Sequence, residues 1–272
     1  MLTVERIYFA HKDRRVLRGF DMEARQGELV GIVGPNGVGK TTLLRIISGS
    51  LSPSQGCVAV NGTGLSILKT RQRARLVSVV PQSPHIPLGI SILELVMMGR
   101  NPYLNLLQWE GRQDLAVVRQ AMEMTDTWHL TDREFGSLSG GERQRSLVAL
   151  ALAQDTPVIL LDEPTASLDL NHQIGVMELV RQVSRCRGGT VLVAMHDLTL
   201  AAQYCDRLVM LSAGRNYAEG VPGVVLTKEN ILEVYRSSVS IMSHPQGGTP
   251  VVLPLSREQA SSSSHGNADD SL

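Results

Sequence analysis

The 272-residue chain carries no excess charge of either sign, because 26 Lys and Arg balance 26 Asp and Glu. It therefore lacks the overall basic field that gathers nucleic acid or an anionic membrane surface, and no nucleic-acid partner is expected. Cys57, Cys186 and Cys205 are isolated, with no CxxC pair. A zinc ribbon and a disulfide framework are both excluded on that pattern, and a reducing compartment is the simple reading. Glu5, Arg6 and Lys12 fall within the first fifteen residues, so no signal peptide is expected there. No apolar run reaches the ~20 residues of a membrane span. The run over 147–161 is broken by Gln154, Asp155, Thr156 and Pro157. Any path across a membrane must come from another chain. There is no internal repeat.

What the chain does have is apolar mass, 43% hydrophobic residues, enough for a sizeable core. Short apolar blocks alternate with helical patterns. Residues 28–33 read as a strand ending in a Gly-rich turn, and 42–47 as a helix closed by Gly49. Residues 58–60 and 76–80 read as further strands. Residues 158–161 and 191–194 are unbroken apolar strands of the kind found inside a parallel sheet covered on both faces. Residues 208–211, Ala213-Gly214-Arg215 and 217–219 read as a hairpin. Strands separated by helices predict an α/β core.

The segment 83–145 differs. Ser91-x-x-Glu94 is a capping box ahead of Leu95-Val96-Met97-Met98, and 114–124 is helical in pattern. It reads as a helical subdomain inserted between core strands. The last stretch, 256–272, includes Ser261-Ser262-Ser263-Ser264 and has too little apolar surface to order itself, so it is expected to be a flexible tail.

Gly34-Pro35-Asn36-Gly37-Val38-Gly39-Lys40-Thr41 fits G-x-x-x-x-G-K-[ST] between a predicted strand and a predicted helix, with Thr42 following. The glycines let the backbone curl so that successive N–H groups point at phosphate oxygens, and the helix adds the positive end of its dipole. Lys40 reaches the β- and γ-phosphates of a nucleotide such as ATP, and the Thr41 hydroxyl suits Mg²⁺. Val158-Ile159-Leu160-Leu161-Asp162-Glu163 brings two acids to the carboxyl end of a buried strand, the edge where open α/β sheets bind ligands. Asp162 can hold Mg²⁺, directly or through water. Glu163 can accept a proton from the attacking water or orient it.

Leu138-Ser139-Gly140-Gly141-Glu142-Arg143-Gln144-Arg145 starts another helix, with Ser139 as cap and Glu142 as its box partner. Gly140 and Gly141 expose N–H groups at a positive helix end, a second anion site. One chain thus has two phosphate-binding ends. A head-to-tail pair resolves this, the loop of one copy and the Ser139 helix of the other closing on the same nucleotide.

This octet, with Lys40 and Asp162 on either side of it, resembles the ATP-binding cassette (ABC) family over about residues 2–255. The resemblance implies a RecA-like P-loop core with an antiparallel β subdomain and an inserted helical subdomain. The implied division is a catalytic core with the β subdomain at 1–82 and 146–235, a helical signalling subdomain at 83–145, an extension at 236–255 and the tail. It also implies roles at matching positions. Gln82 is similar to the glutamine that touches the metal and attacking water, and Ser167-Leu168-Asp169 to the loop crossing the dimer interface. His196 is similar to the switch histidine at the γ-phosphate. The aromatic that usually stacks on adenine falls at His11, with Tyr8 and Phe9 nearby; Phe9 could instead be core.

As the resemblance has it, the chain is a transporter motor, peripheral on the cytoplasmic face of the cell membrane. It would work as a homodimer with separate permease subunits and an extracytoplasmic substrate-binding protein. A soluble ABC ATPase, an exporter motor and a bare nucleotide-binding regulator are the alternatives. Met97-Met98-Gly99-Arg100-Asn101-Pro102-Tyr103, Val234-Tyr235 and His244-Pro245 are similar to importers of iron-siderophore, haem and cobalamin. On that reading 86–107 faces the permease, with Leu93, Met97 and Tyr103 either docking contacts or subdomain core.

Overall fold

The computed structural model describes residues 1–104 and 111–256. Three sheets are formed. The central one has the order β10-β9-β3-β8-β7-β6. Its strands are β3 (Leu29–Val33), β6 (Val77–Val80), β7 (Val158–Asp162), β8 (Thr190–Ala194), β9 (Arg207–Ser212) and β10 (Arg215–Gly220). Strands β9, β3, β8, β7 and β6 run parallel, and β10 folds back antiparallel onto β9. The β9–β10 turn is the Ala213-Gly214 pair, both at positive φ (48° and 78°), the geometry of a tight two-residue hairpin.

Strands β3, β7 and β8 are buried at every position, which explains their unbroken apolar runs. Alternate residues serve opposite faces. Leu29, Val33, Ile159, Leu161, Val191 and Val193 share one cluster, while Val30, Ile32, Val158, Leu160, Leu192 and Ala194 share the other. Complete burial of one such side chain contributes about 1.5–3 kcal/mol.

The second face is covered by α1 (Lys40–Ile47) and by an antiparallel sheet of order β2-β1-β4-β5. Its strands are β1 (Leu2–His11), β2 (Arg14–Ala24), β4 (Gln55–Val60) and β5 (Thr63–Gly64). The short α2 (Thr70–Arg73) follows. The first face is covered by helices. Among them are α3 (Ile92–Met97), α4 (Arg112–Met124), α5 (Gly140–Ala153), α6 (Leu170–Arg187) and α7 (Leu198–Tyr204). Beyond α8 (Pro222–Val225) and α9 (Lys228–Tyr235), the hairpin β11 (Val239–Ser243)–β12 (Pro250–Pro254) packs on α7, where Val252 N donates to Thr199 Oγ1 at 3.1 Å.

The RecA-like α/β core with an antiparallel sheet and an inserted helical segment is therefore the observed architecture. Both capping boxes form, Ser91 with Glu94 on α3 and Ser139 with Glu142 on α5. Helix α5 runs through position 145/146, so one continuous rod ties the helical segment to the core. Tyr103 is half-buried between two guanidinium groups, those of Arg75 and Arg100, at 4.9 and 4.1 Å from its ring centre. Its hydroxyl donates towards the Gln154 and Asp155 carbonyls at 3.1 and 3.2 Å. Leu93 and Met97 pack against the helical core. Among the described residues of this segment the large exposed apolar side chains are instead Leu88, 97% exposed, and Met98, 46% exposed. Positions 105–107 of the expected docking segment and 257–272 of the expected tail lie outside the described residues. Among the described residues no helix is long and apolar enough to cross a membrane.

Candidate active site

Four neighbouring parallel strands, β3, β8, β7 and β6, end on the same edge of the sheet. Strand β3 leads into Gly34–Thr41, β7 into Asp162-Glu163, β8 into Met195-His196, and β6 into Pro81-Gln82. Parallel order alone thus gathers residues up to about 160 positions apart, at the sheet edge where α/β proteins bind ligands.

The loop after β3 curls through left-handed backbone. Gly34 has φ 153° and Gly39 φ 119°. A β-carbon on Gly34 would also lie 2.5 Å from the Leu211 carbonyl, so only glycine fits. Helix α1 begins after Gly39 with no side-chain cap and no acid in its first turn. Its orphan N–H groups and positive end are left for an anion. Lys40 is 5% exposed, and its Nζ donates to Gly34 O at 2.8 Å. Burial lowers the Lys40 ammonium from its ordinary pKa, while the nearby Glu163 and Asp162 carboxylates oppose that shift.

Thr41 Oγ1 donates to Asp162 Oδ1 at 3.0 Å, joining the loop to β7. Asp162 is 7% exposed, and burial, aided by the Glu163 charge, raises its carboxyl pKa against the Thr41 hydrogen bond. A buried anion of this kind is suited to a hard cation with oxygen ligands, for which Thr41 Oγ1 and the Gln82 amide oxygen are further donors. The next residue, Glu163, adopts φ 50°, rare for a side chain of this size. Three groups converge on its carboxylate. Gln82 Nε2 donates to Oε2 at 2.8 Å, Lys40 Nζ lies 3.9 Å from Oε1, and His196 Nδ1 lies 3.9 Å from Oε2. An acid, an amide, a cation and an imidazole around one point can place a water against a phosphoryl group.

The loop opens onto a cleft of about 240 Å³. His11, Asn36, Gly37, Gly39, Lys40, Thr41, Thr42 and Glu163, all candidates from the sequence, line it. Arg14 and Val16 line it too, and sequence reasoning missed both. Their sole signal was proximity to His11 across the β1–β2 turn. His11 meets Phe9 edge-on, ring centres 5.5 Å apart, while Phe9 itself packs into the core. Tyr8 does not line the cleft. Ser139, Gly140, Gly141 and Asp169 do not line it either. They stand at the starts of α5 and α6, which Ser139 caps by accepting from Glu142 N and Asp169 by accepting from His172 N. A larger cleft, about 390 Å³, lies where β7 and β8 begin, at the edge away from these groups.

The ABC transporter family profile matches residues 17–166, more than half of the chain. The chain belongs to the ABC transporter family. It is an ATP-binding subunit of that family and an ATPase. The achromobactin transport ATP-binding protein CbrD of Dickeya dadantii is 38% identical over 258 residues, 95% of this chain and 96% of the relative. The hemin import ATP-binding protein HmuV of Gloeobacter violaceus is 41% identical, with 89% and 90% covered. Among solved structures, a metal-chelate type ABC transporter in an inward-facing conformation aligns with a TM-score of 0.83. Its identity is 28%, over 94% of this chain and 98% of that one.

Proposed function

We propose that two copies of this ABC subunit close head-to-tail on ATP and drive import of a metal chelate through separate membrane subunits. One observation carries the pairing. The chain has two helix starts suited to phosphate, Gly39–Thr41 and Ser139–Gly141, and only the first lines the cleft beside Glu163, with Thr41 bonded to Asp162. The second completes the site of a partner copy.

Phosphoryl transfer needs positioning and neutralisation of charge. Lys40 exchanges the Gly34 and Pro35 carbonyls, 2.8 and 3.4 Å away, for the β- and γ-phosphates. Glu163, steadied by Gln82, takes the proton of the attacking water, and His196 faces the γ-phosphate from the next strand. His11 meets the adenine ring. Asp162, Thr41 and Gln82 would hold Mg²⁺, which when bound neutralises charge on the β- and γ-oxygens. From the partner, Ser139, Gly140 and Gly141 reach the γ-phosphate, with Asp169 at the interface. ATP therefore stabilises the closed pair, and hydrolysis with phosphate release loosens it.

The division into a core at 1–82 and 146–235, a signalling subdomain at 83–145 and an extension at 236–255 belongs to this reading. The subunit sits peripherally at the cytoplasmic face of the cell membrane, held by permease subunits, with an extracytoplasmic binding protein supplying cargo. Docking falls on the exposed Leu88 and Met98 rather than on Tyr103. Import of a siderophore, haem or cobalamin type cargo is supported by the likeness to the hemin import and metal-chelate proteins. The test is co-expression with a multispanning permease and crosslinking from Leu88→Cys, followed by uptake of labelled haem and ferric siderophore into proteoliposomes. ATP-dependent uptake is expected. ATPase activity indifferent to any permease, with no crosslink, would favour a soluble ATPase instead.

A further inference from the structure

The Ser139–Gly141 helix start and the Ser167–Asp169 loop are joined within one chain by a side chain that the hydrolysis mechanism leaves unused. Helix α6 follows the loop directly, and its third residue is His172. His172 Nδ1 lies 2.8 Å from Asp169 Oδ1, the same oxygen that accepts the His172 backbone N–H at 3.0 Å. Gln173 Nε2 donates to Leu168 O at 2.9 Å and to Thr165 O at 3.4 Å, which fixes the loop from the other side. The two bonds from His172 hold the Asp169 carboxyl below its ordinary pKa, the backbone one foremost.

The opposite edge of the His172 ring stands on Gly141. A β-carbon built on Gly141 would lie 1.9 Å from His172 Cδ2, 2.7 Å from Cγ and 2.8 Å from Nε2. One built on Gly140 would lie 3.1 Å from Leu168 Cδ2. The backbone of Gly141 is ordinary helix and needs no positive φ, since it is absent from the residues that have one. Its lack of a side chain is therefore a matter of space, and the imidazole fills that space. Gly141 is buried and Gly140 exposed, so the N–H groups at this helix start lie beside the ring that covers them on one side only.

We propose that His172 is a positioning residue for hydrolysis, its ring locking the start of α5 to the Ser167–Asp169 loop so that both segments approach a partner's nucleotide as one rigid unit. The proposal rests on the head-to-tail reading above. Phosphate donors must be held within about 0.5 Å of productive geometry, and an unsupported helix start does not hold that tolerance. Asp169 alone caps α6 but makes no contact that orients α5; the imidazole bridges the two.

A double-mutant cycle in the full-length chain tests both the contact and its role. Gly141→Ala drives a methyl into the ring, and in the nucleotide-free protein it lowers Tm. Adding His172→Ala recovers most of that loss, because the obstructing ring is gone, so the two changes are strongly non-additive. His172→Ala alone lowers kcat about tenfold while KM for ATP stays within about twofold, because ground-state binding is set at Gly34–Thr41. Additive Tm changes would overturn the contact. An unchanged kcat, or a rise in KM that accounts for the whole loss, would overturn the positioning role. Lys40→Ala separates the two levels: if that variant kept full turnover, the ATP site itself would be misassigned, whatever the His172 cycle returned.

Discussion

Glu163→Gln removes a charge and keeps a shape. The substituted amide retains an oxygen that can accept from Gln82 Nε2, now 2.8 Å from the carboxylate. Gln is no less suited than Glu to the φ of 50° at this position, so the fold is expected to survive unchanged. What is lost is the proton acceptor. General-base loss costs about 10²–10⁴-fold in rate, or about 3–5 kcal/mol of barrier. Binding should move the other way. The carboxylate lies 3.9 Å from Lys40 Nζ, where the γ-phosphate is received, and so repels it. Like unit charges about 5 Å apart at an effective dielectric of 20 repel by about 3 kcal/mol, and counterions reduce this further. ATP affinity should therefore rise, by about tenfold at most, and the ATP-bound pair should accumulate. Single-turnover phosphate release, equilibrium ATP binding and size-exclusion chromatography with ATP measure the three effects. A variant that keeps more than half the wild-type turnover, or that binds ATP more weakly, would refute the placement of Glu163.

Three other outcomes follow from the same geometry. Asp162→Asn should raise the Tm of the nucleotide-free protein while abolishing turnover. Burial lifts the folded pKa of Asp162 above its unfolded value, so stability falls as pH rises from the unfolded towards the folded pKa, and above that the full cost remains. Melting curves between pH 4 and 8 (an interval of about four units around the ordinary carboxylate range) should converge with wild type at the acid end. Ser139→Arg should reduce the Hill coefficient for ATP hydrolysis to about one by blocking the partner's site, and loss of the α5 N-cap should lower stability by about 1 kcal/mol in urea titration. Arg100→Ala should cost about 1–3 kcal/mol in denaturant titration. It strips the partly buried Asp114 of its 3.0 Å partner, leaves the Ala153 carbonyl without its 2.8 Å donor and unstacks Tyr103.

The elements legible in the sequence were those whose signal is local. Strands β7 and β8 are covered on both faces, so each is a continuous apolar run, and the Gly34–Thr41 loop needs its glycines within eight consecutive residues. The antiparallel sheet was harder to see. In β1 the burial alternation breaks at Glu5-Arg6, where Arg6 takes φ 46° and the register to β2 shifts. A bulge resets the period-two pattern, so apolar and charged residues no longer mark faces. The same irregularity hid Arg14, which reaches the nucleotide cleft from the far side of a turn. Tyr103 leaves two readings open in the sequence, docking contact or subdomain core. An aromatic in an exposed helical segment reads as a contact surface, but two arginines 28 and 3 positions before it turn its ring into a wedge. His172 lies beyond any such reading, because its partner Gly141 is 31 positions earlier on another helix. A glycine pair after a capping serine announces an anion site from sequence alone. That Gly141 must also make room for an imidazole is a property of how α5 and α6 pack, and it gives the second glycine a requirement independent of phosphate.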